Sequence, residues 1–374
     1  MAKDVLQPDV LQPGLSQPEV LQPGFGPIRS TTYLPADPSA VLWGRLPCET
    51  DSPVLTIDPG TEVTIDTISH EGIHEDQGRD PVAFFARFGV SPDAILTDAA
   101  ALAASDYRRD PAADGPHVVT GPIRVTGALP GDLLKITVLE TLPRVPYGIV
   151  SNRHGRGALP GEYPVGGETV SVFASIDGGI NGTHGTMPRV LGGEHSVRFP
   201  LAPFLGIMGV AVSGDVRPHS VPPGPHGGNI DINLLTTGSA LYLPVQVAGA
   251  LAYVGDPHFA QGDGEVALTA MEASLRVTLR FDVLSQAEAL KEFGELVGPL
   301  AETSDFLIPT GLSEDLDEAV KNCVRAAISL LQARFGMDAE HAYAYLSAAT
   351  DFNISQVVDL VKGVHARIRV ADFD

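Results

Sequence analysis

Basic residues are scarce in this chain of 374 residues: 24 Lys and Arg stand against 46 Asp and Glu, a formal charge of −22. Affinity for a phosphate backbone comes largely from Lys and Arg displacing counterions, so nucleic acid and anionic membrane are excluded as partners. Cysteine is scarcer still. Cys48 and Cys323 lie far apart, without C-x-x-C spacing or a secretory signal, which excludes a disulfide framework and points to a reducing cytoplasm. No apolar run reaches the roughly 20 residues that a bilayer-spanning helix needs. The best candidate, Leu234 to Val254, is interrupted by Gly, Pro and Gln.

Catalytic motifs are missing as well. There is no G-x-S-x-G elbow, no phosphate-binding G-x-x-x-x-G-K-[ST] loop, and no strand followed by G-x-G-x-x-G. Cys323 falls on the apolar stripe of a helix and Cys48 has no identifiable basic partner, so neither reads as a nucleophile. What is abundant is turn chemistry. With 31 Pro, 40 Gly and 19% charged residues, the composition describes short strands joined by tight turns, and hence a mainly β protein.

At the N-terminus Gln7, Gln12, Gln17 and Gln22 are each followed by proline at a five-residue period. Proline removes backbone donors and favours extended conformations, so residues 1–30 are expected to form a flexible arm, the alternative being a docking peptide for another subunit. Deleting residues 1–24 should then leave stability unchanged. Residues 31–374 read as a single domain. VLTIDPG from Val54 and EVTIDTIS from Glu62 suggest two strands around a Pro-Gly turn, and IRVTGALPGDLLKITVL from Ile123 a hairpin-like pair. PVAFFARFG from Pro81 and PDAILTDAAALAASD from Pro92 suggest a helical insertion at the sheet edge over about 80–108. A second β block from Thr169 to Leu284 closes with EASLRVTLRFDVL, expected to be a strand with one wet face.

A helical C-terminal part is expected from about residue 313. Its main helix, DLDEAVKNCVRAAISLLQARFG from Asp315, has an apolar stripe of Leu316, Ala319, Val320, Cys323, Ala327, Leu330 and Leu331. Asp315 and Glu318 stand in capping-box register, with Gly336 as the stop. A shorter helix over Asp338 to Ala349 and a strand at VHARIRV complete the chain.

The remaining candidates for chemistry are histidines and carboxylates in Gly- and Pro-rich segments. His117 lies in HVVTGPI. In HGGNIDIN, Asn229, Asp231 and Asn233 alternate along one face, and GDPHFAQGDGE holds His258, Asp263 and Glu265. Two or three such nitrogen and oxygen ligands plus water would make an open zinc-like site. Each residue taken alone also reads as an ordinary turn former, and the last segment as a metal-free acidic turn.

The blocks GPIRVTGALPGDLLKI from Gly121, PFLGIMGVA from Pro203, GGNID from Gly227, LYLPV from Leu241, GDPHFAQGDGE from Gly255 and SQVVDLVKGVH from Ser355 together resemble the acetamidase/formamidase family, over about Val54 to Ile368. The resemblance implies a β-sandwich-like core of mixed sheets with a few peripheral and C-terminal helices. It implies a homo-oligomer that hydrolyses a short amide to a carboxylate and ammonia, and a divalent metal, zinc or sometimes calcium. Carried onto this sequence, it points to His117, Asp231 and His258 as metal ligands and Glu265 as general base. Asp66 and Asp263 are second choices as ligand or base. Asn229 and Gln261, with Asp263, are expected at the substrate. The chain departs from the family pattern at DTISHEGIHEDQGRD from Asp66, where His70, Glu71, His74, Glu75 and Asp76 read as a solvated loop, the alternative being extra ligands. A larger amide or lactam is the alternative substrate, and a metal-stabilised β protein that binds a small ligand without catalysis is the alternative class.

Overall fold

Two large sheets account for most of the architecture, and the computed structural model describes residues 20–373 of the chain. One sheet has nine strands, with Thr61–Asp66, Leu275–Leu284, Leu133–Pro143 and Ala240–Pro244 adjacent in that order. The other has eleven, in which Ala252–Ala260 pairs with Phe204–Gly209, Met271–Glu272 and Val118–Val125. Val63, Ile65, Ile136, Val277 and Leu279 of the first sheet share one buried cluster with Ile123, Ile149, Leu205 and Val254 of the second. This is the expected sandwich of mixed sheets: most pairs are antiparallel, while Leu55–Ile57 runs parallel to Val118–Val125 and Thr32–Leu34 parallel to Thr61–Asp66.

The two Pro-Gly turns do something other than close hairpins. Leu55–Ile57 belongs to the eleven-stranded sheet and Thr61–Asp66 to the nine-stranded one, and Val118–Val125 and Leu133–Pro143 are divided in the same way. Both turns therefore carry the chain from one layer to the other. Alternation reveals which face of a strand is buried but not which strand lies beside it. The strand Leu275–Leu284 differs from expectation too, being buried on both faces over its first half because the segment from Gln22 to Ser30 lies over Arg276 and the Thr64–Thr278 pair.

The helix at Pro81–Ala86 begins as the sequence suggests, with Asp80 accepting from the backbone of Val82 and Ala83, whereas the second starts at Thr97 rather than Pro92, which lies in a separate 3-10 turn at Pro92–Ala94. Their apolar side chains Phe84, Phe85, Leu96, Leu102 and Ala103 join the main core. At the other end of the chain, Leu316–Phe335 starts at Asp315, which accepts from Glu318 N, and stops at Gly336 in the left-handed conformation. The capping box is half made, because the Glu318 side chain pairs with Lys321 and Arg325 instead. Val320 is exposed, whereas Ala327, Leu330 and Leu331 pack with Tyr242, Leu300, Leu307 and Ile368 in a second core behind the nine-stranded sheet. A helix at Gln286–Phe293, capped reciprocally by Ser285 and Glu288, escaped the sequence analysis.

The first 19 residues of the expected arm lie outside the described residues, and the described part, residues 20–30, is packed. Leu21 is buried and exchanges hydrogen bonds with Arg144, while Gln22 binds Ile95 O and Thr97. Arg276 donates to the carbonyls of Gln22, Phe25 and Pro27. Two buried guanidinium groups thus depend on this segment for acceptors. Deleting residues 1–24 should destabilise the protein by on the order of 3 kcal/mol, since buried donors left without acceptors cost about 1–3 kcal/mol each. A urea midpoint unchanged by the deletion would contradict this.

Candidate active site

The strand Ala252–Ala260 carries the centre of the site, although its sequence, with Gly255 and Pro257, suggested a loop. It stays in the sheet because irregular register on both neighbours absorbs the disturbance: the ladder shifts between Ala252 and Val254 on one side and between His258 and Ala260 on the other. Asp256 and His258, two residues apart, come to the same side, with His258 Nε2 3.1 Å from Asp256 Oδ2. Glu272 sits opposite His258 on the adjacent strand, with its Oε1 3.0 Å from the same nitrogen. On the far side of Phe204–Gly209, Asn229 ends the strand Gly227–Asn229, and the chain then turns through Asp231, whose Oδ1 is 3.9 Å from His258 Nδ1. The close approach requires Gly206, where a Cβ would collide with Asp231, Asp256 and the His258 ring.

Other segments supply the rest. His117, just before Val118–Val125, places Nε2 3.8 Å from Asp256 Oδ1. His70, in the turn after Thr61–Asp66, places Nδ1 3.6 Å from Asp256 Oδ1 and 4.0 Å from Glu272 Oε2. Asp359 enters from the turn before Lys362–Arg369, where Gln356 accepts from its backbone N–H. Three overlapping groups of potential ligand atoms result: His70, His117 and Asp256; Asp256, His258 and Glu272; and Asp231, His258 and Glu265.

The imidazoles share one arrangement. Gln261 Nε2 donates to the carbonyls of Asp231 and Ser355 at 3.0 and 3.2 Å, so its Oε1 is the atom facing His258 Nδ1 at 3.1 Å, and Nδ1 must carry the proton. His258 Nε2 is left toward the carboxylates. Likewise His117 gives Nδ1 to Ser220 at 3.0 Å, and His70 keeps Nε2 3.5 Å from Glu71. One nitrogen of each ring is fixed from behind and the other is aimed at Asp256 or Glu272, as outer partners orient metal-bound histidines. The inward atoms are short of partners. His70 Nδ1, His258 Nε2, Asp256 Oδ1, Glu272 Oε2 and both Asp231 carboxylate oxygens are buried without a hydrogen bond. Buried polar groups are rarely left so, and a nitrogen and oxygen donor set of this kind fits a divalent cation.

Electrostatics agree with that need. Burial opposes charge on His70, but Asp256, Glu71 and Glu272 outweigh it and lift the imidazole to about 10. Burial, reinforced by the neighbouring imidazoles of His70 and His258, holds His117 down at about 3 against the pull of Asp256. Burial and then Asp231 push the Glu265 carboxyl well above its ordinary value, and burial and then Glu265 do the same to Asp359. The pocket carries more buried carboxylates than its histidines neutralise.

Of the expected residues, His117, Asp231, His258, Asn229 and Glu265 are therefore brought together, although no ligand group combines His117 with Asp231. Asp66 is not in the site. Its carboxylate is bound by Arg276 at 2.7 and 3.0 Å and by Tyr33, with Arg144 3.4 Å away, all in a structural network. Gln261 serves His258 rather than substrate. Asp263 is exposed and held by Asn233 and Asn353, so the alternation of Asn229, Asp231 and Asn233 breaks at the left-handed turn of Asp231. The solvated-loop reading fails for His70 and Glu71, both buried, the latter bound by Ser151 and Arg153; His74, Glu75 and Asp76 stay partly exposed. Asp256, Glu272 and Asp359 were missed, though Asp256 could have been found from its spacing to His258.

If this donor set holds a divalent cation, replacing Gln261 with Leu should weaken its affinity roughly 10- to 100-fold, the usual effect of losing an outer partner of a ligand histidine. Competition titration against a chromogenic chelator measures it, and unchanged affinity would remove Gln261 from this role.

A cavity of about 140 Å³ lies over these groups, lined by His70, His117, Asn229, Asp256, Glu265 and Glu272 among others. A model of the acetamidase/formamidase family matches residues 101–220 and 217–370, most of the chain. The chain belongs to the acetamidase/formamidase family. An acetamidase of Mycolicibacterium smegmatis is 29% identical over 300 residues, 62% of this chain and 73% of that one. A formamidase of Methylophilus methylotrophus is 28% identical over 306 residues, 65% and 74% of the two chains. Among solved structures, an acetamidase from Bacillus halodurans shares the fold with a TM-score of 0.69 and 25% identity, covering 91% of this chain and 98% of its own. Among the described residues, no helix is long and apolar enough to cross a membrane.

Proposed function

We propose that this member of the family is an amidohydrolase that converts a short linear amide and water into a carboxylate and ammonia with the help of a divalent metal. The observation that carries the reading is the set of buried, partnerless nitrogen and carboxylate atoms beneath a small cavity. Asp256 and His258, with Glu272, Asp231, His70 or His117, would hold the ion. When bound, such an ion polarises an amide carbonyl and makes water more acidic. Imidazole nitrogens favour zinc over calcium, which takes oxygen ligands.

The protein's own groups do the rest. Asn229, whose Oδ1 is buried and without a partner, accepts from the amide N–H of the substrate and fixes its orientation. Glu265, on the cavity wall, takes the proton of the attacking water and delivers it to the departing nitrogen, because an amide nitrogen leaves readily only when protonated. The walls of the pocket hold the two reactants together. Its volume of about 140 Å³ favours a short amide over a larger one, since pockets for drug-sized ligands run roughly 300–1,000 Å³. Ammonia release from formamide, acetamide and a lactam tests the reading, and release from none of them would refute it. A cytoplasmic homo-oligomer is part of the same proposal, supported by two free buried thiols and by exposed Val165 and Leu191.

A further inference from the structure

The floor of the cavity is acidic, whereas basic side chains gather at its rim, where the carboxylate of Asp114 is already paired with Arg45 at 2.6 Å. Arg153, Arg156, His74 and His219 line the mouth, a concentration of basic side chains in a chain whose acids outnumber its bases 46 to 24. Two of the four are occupied. Arg153 pairs with Glu71 at 3.2 Å and Asp76 at 2.7 Å, and His74 Nδ1 lies 2.7 Å from Asp76.

The other two are free. Arg156 bonds through its backbone N–H to Arg153 O, while its guanidinium makes no hydrogen bond or ion pair among the described residues. His219 Nδ1 accepts from the Val221 N–H at 3.1 Å, which leaves the ring proton on Nε2. Burial, then the charge of Arg45 and, more weakly, of Arg156 itself, hold His219 below its ordinary pKa, so it faces the cavity as a neutral donor. The two donors come from separate loops, one between Asn152 and Val170 and the other between Gly209 and Gly227.

We infer that Arg156 and His219 form a subsite for an anionic group, and that the substrate class is a short amide with a carboxylate at the end remote from the amide. The inference rests on the proposed reaction. A neutral amide would use neither donor, whereas a dicarboxylic monoamide can set its amide over the acidic floor and its carboxylate at the rim. Arg156 also offsets the repulsion such a substrate meets from Asp256, Glu265 and Glu272. A guanidinium is well matched to a carboxylate, which it can bind with two parallel hydrogen bonds.

Malonamate and its neutral isostere 3-methylbutanamide provide the test. Wild-type enzyme should favour malonamate by roughly tenfold or more in kcat/KM, and the preference should shrink as added salt screens the rim. In Arg156→Gln the ratio of malonamate to 3-methylbutanamide should fall roughly 10- to 100-fold, the range of a charged hydrogen bond. Arg156→Lys, which keeps the charge, should retain most of it. Equal use of both substrates by wild type, or a ratio unmoved in Arg156→Gln, overturns the subsite while leaving amide hydrolysis intact. If no amide is turned over, the reaction itself falls, and calorimetric binding of malonamate still decides the subsite: tenfold weaker binding in Arg156→Gln supports it and equal binding overturns it.

Discussion

Glu265→Gln should lower kcat by roughly a hundredfold or more while leaving the metal content per subunit near that of wild type. Glutamine keeps the shape of the side chain but cannot accept a proton, and Glu265 lines the cavity. The pH profile provides a second signature. Burial and the neighbouring Asp231 raise the Glu265 carboxyl, and a base works only when deprotonated. In the wild type kcat/KM should therefore rise with pH through an inflection above the ordinary carboxylate range, and Glu265→Gln should lose that limb. Lower metal occupancy in the variant would make Glu265 a ligand, in line with its grouping with Asp231 and His258. Normal turnover with normal metal would remove it from the mechanism.

Asp256→Asn should cost both metal and activity. Asp256 is shared by two of the three ligand groups, with Oδ1 toward His70 and His117 and Oδ2 toward His258. A neutral amide oxygen is a weaker donor to a divalent ion than a carboxylate. The variant should purify with little bound metal and turn over at least roughly a hundredfold more slowly, as expected when acid–base and electrophilic help are both lost. Thorough chelation of wild type should reproduce the loss, and added zinc should reverse it there more readily than in the variant. Full turnover by metal-stripped wild type would end the metal proposal.

Sequence and structure agree best where chemistry and unusual backbone coincide. His117, Asp231, His258 and Glu265 stood out because they sit in Gly- and Pro-rich blocks, and the cavity or its floor is where they meet. Asp256 was hidden by the Pro257 that follows it, since Asp-Pro reads as a turn and the segment is a strand. His70 and Glu71 were hidden by their charged neighbours, because the partners that make burial tolerable, Ser151, Arg153 and Asp256, lie far away in sequence. Asp66 failed for the converse reason. It stood as a second choice for ligand or base because its partners, Arg276 and Arg144, meet it only in the folded chain. The strands were legible from alternation, but their distribution between two sheets was not, because a Pro-Gly turn serves a crossover as well as a hairpin.

Asp231, Asp256 and Glu265 all adopt positive φ, at 48°, 50° and 46°, a region costly for residues with a Cβ. The three positions that crowd negative charge together are thus also places where the main chain is held against its own preference. A screen for heat-resistant variants of the metal-free protein should be drawn to them, with glycine or asparagine relaxing the backbone and removing a charge in one step. Such gains would be bought with lost turnover, so selection for robustness alone would erode the enzyme from its centre outward.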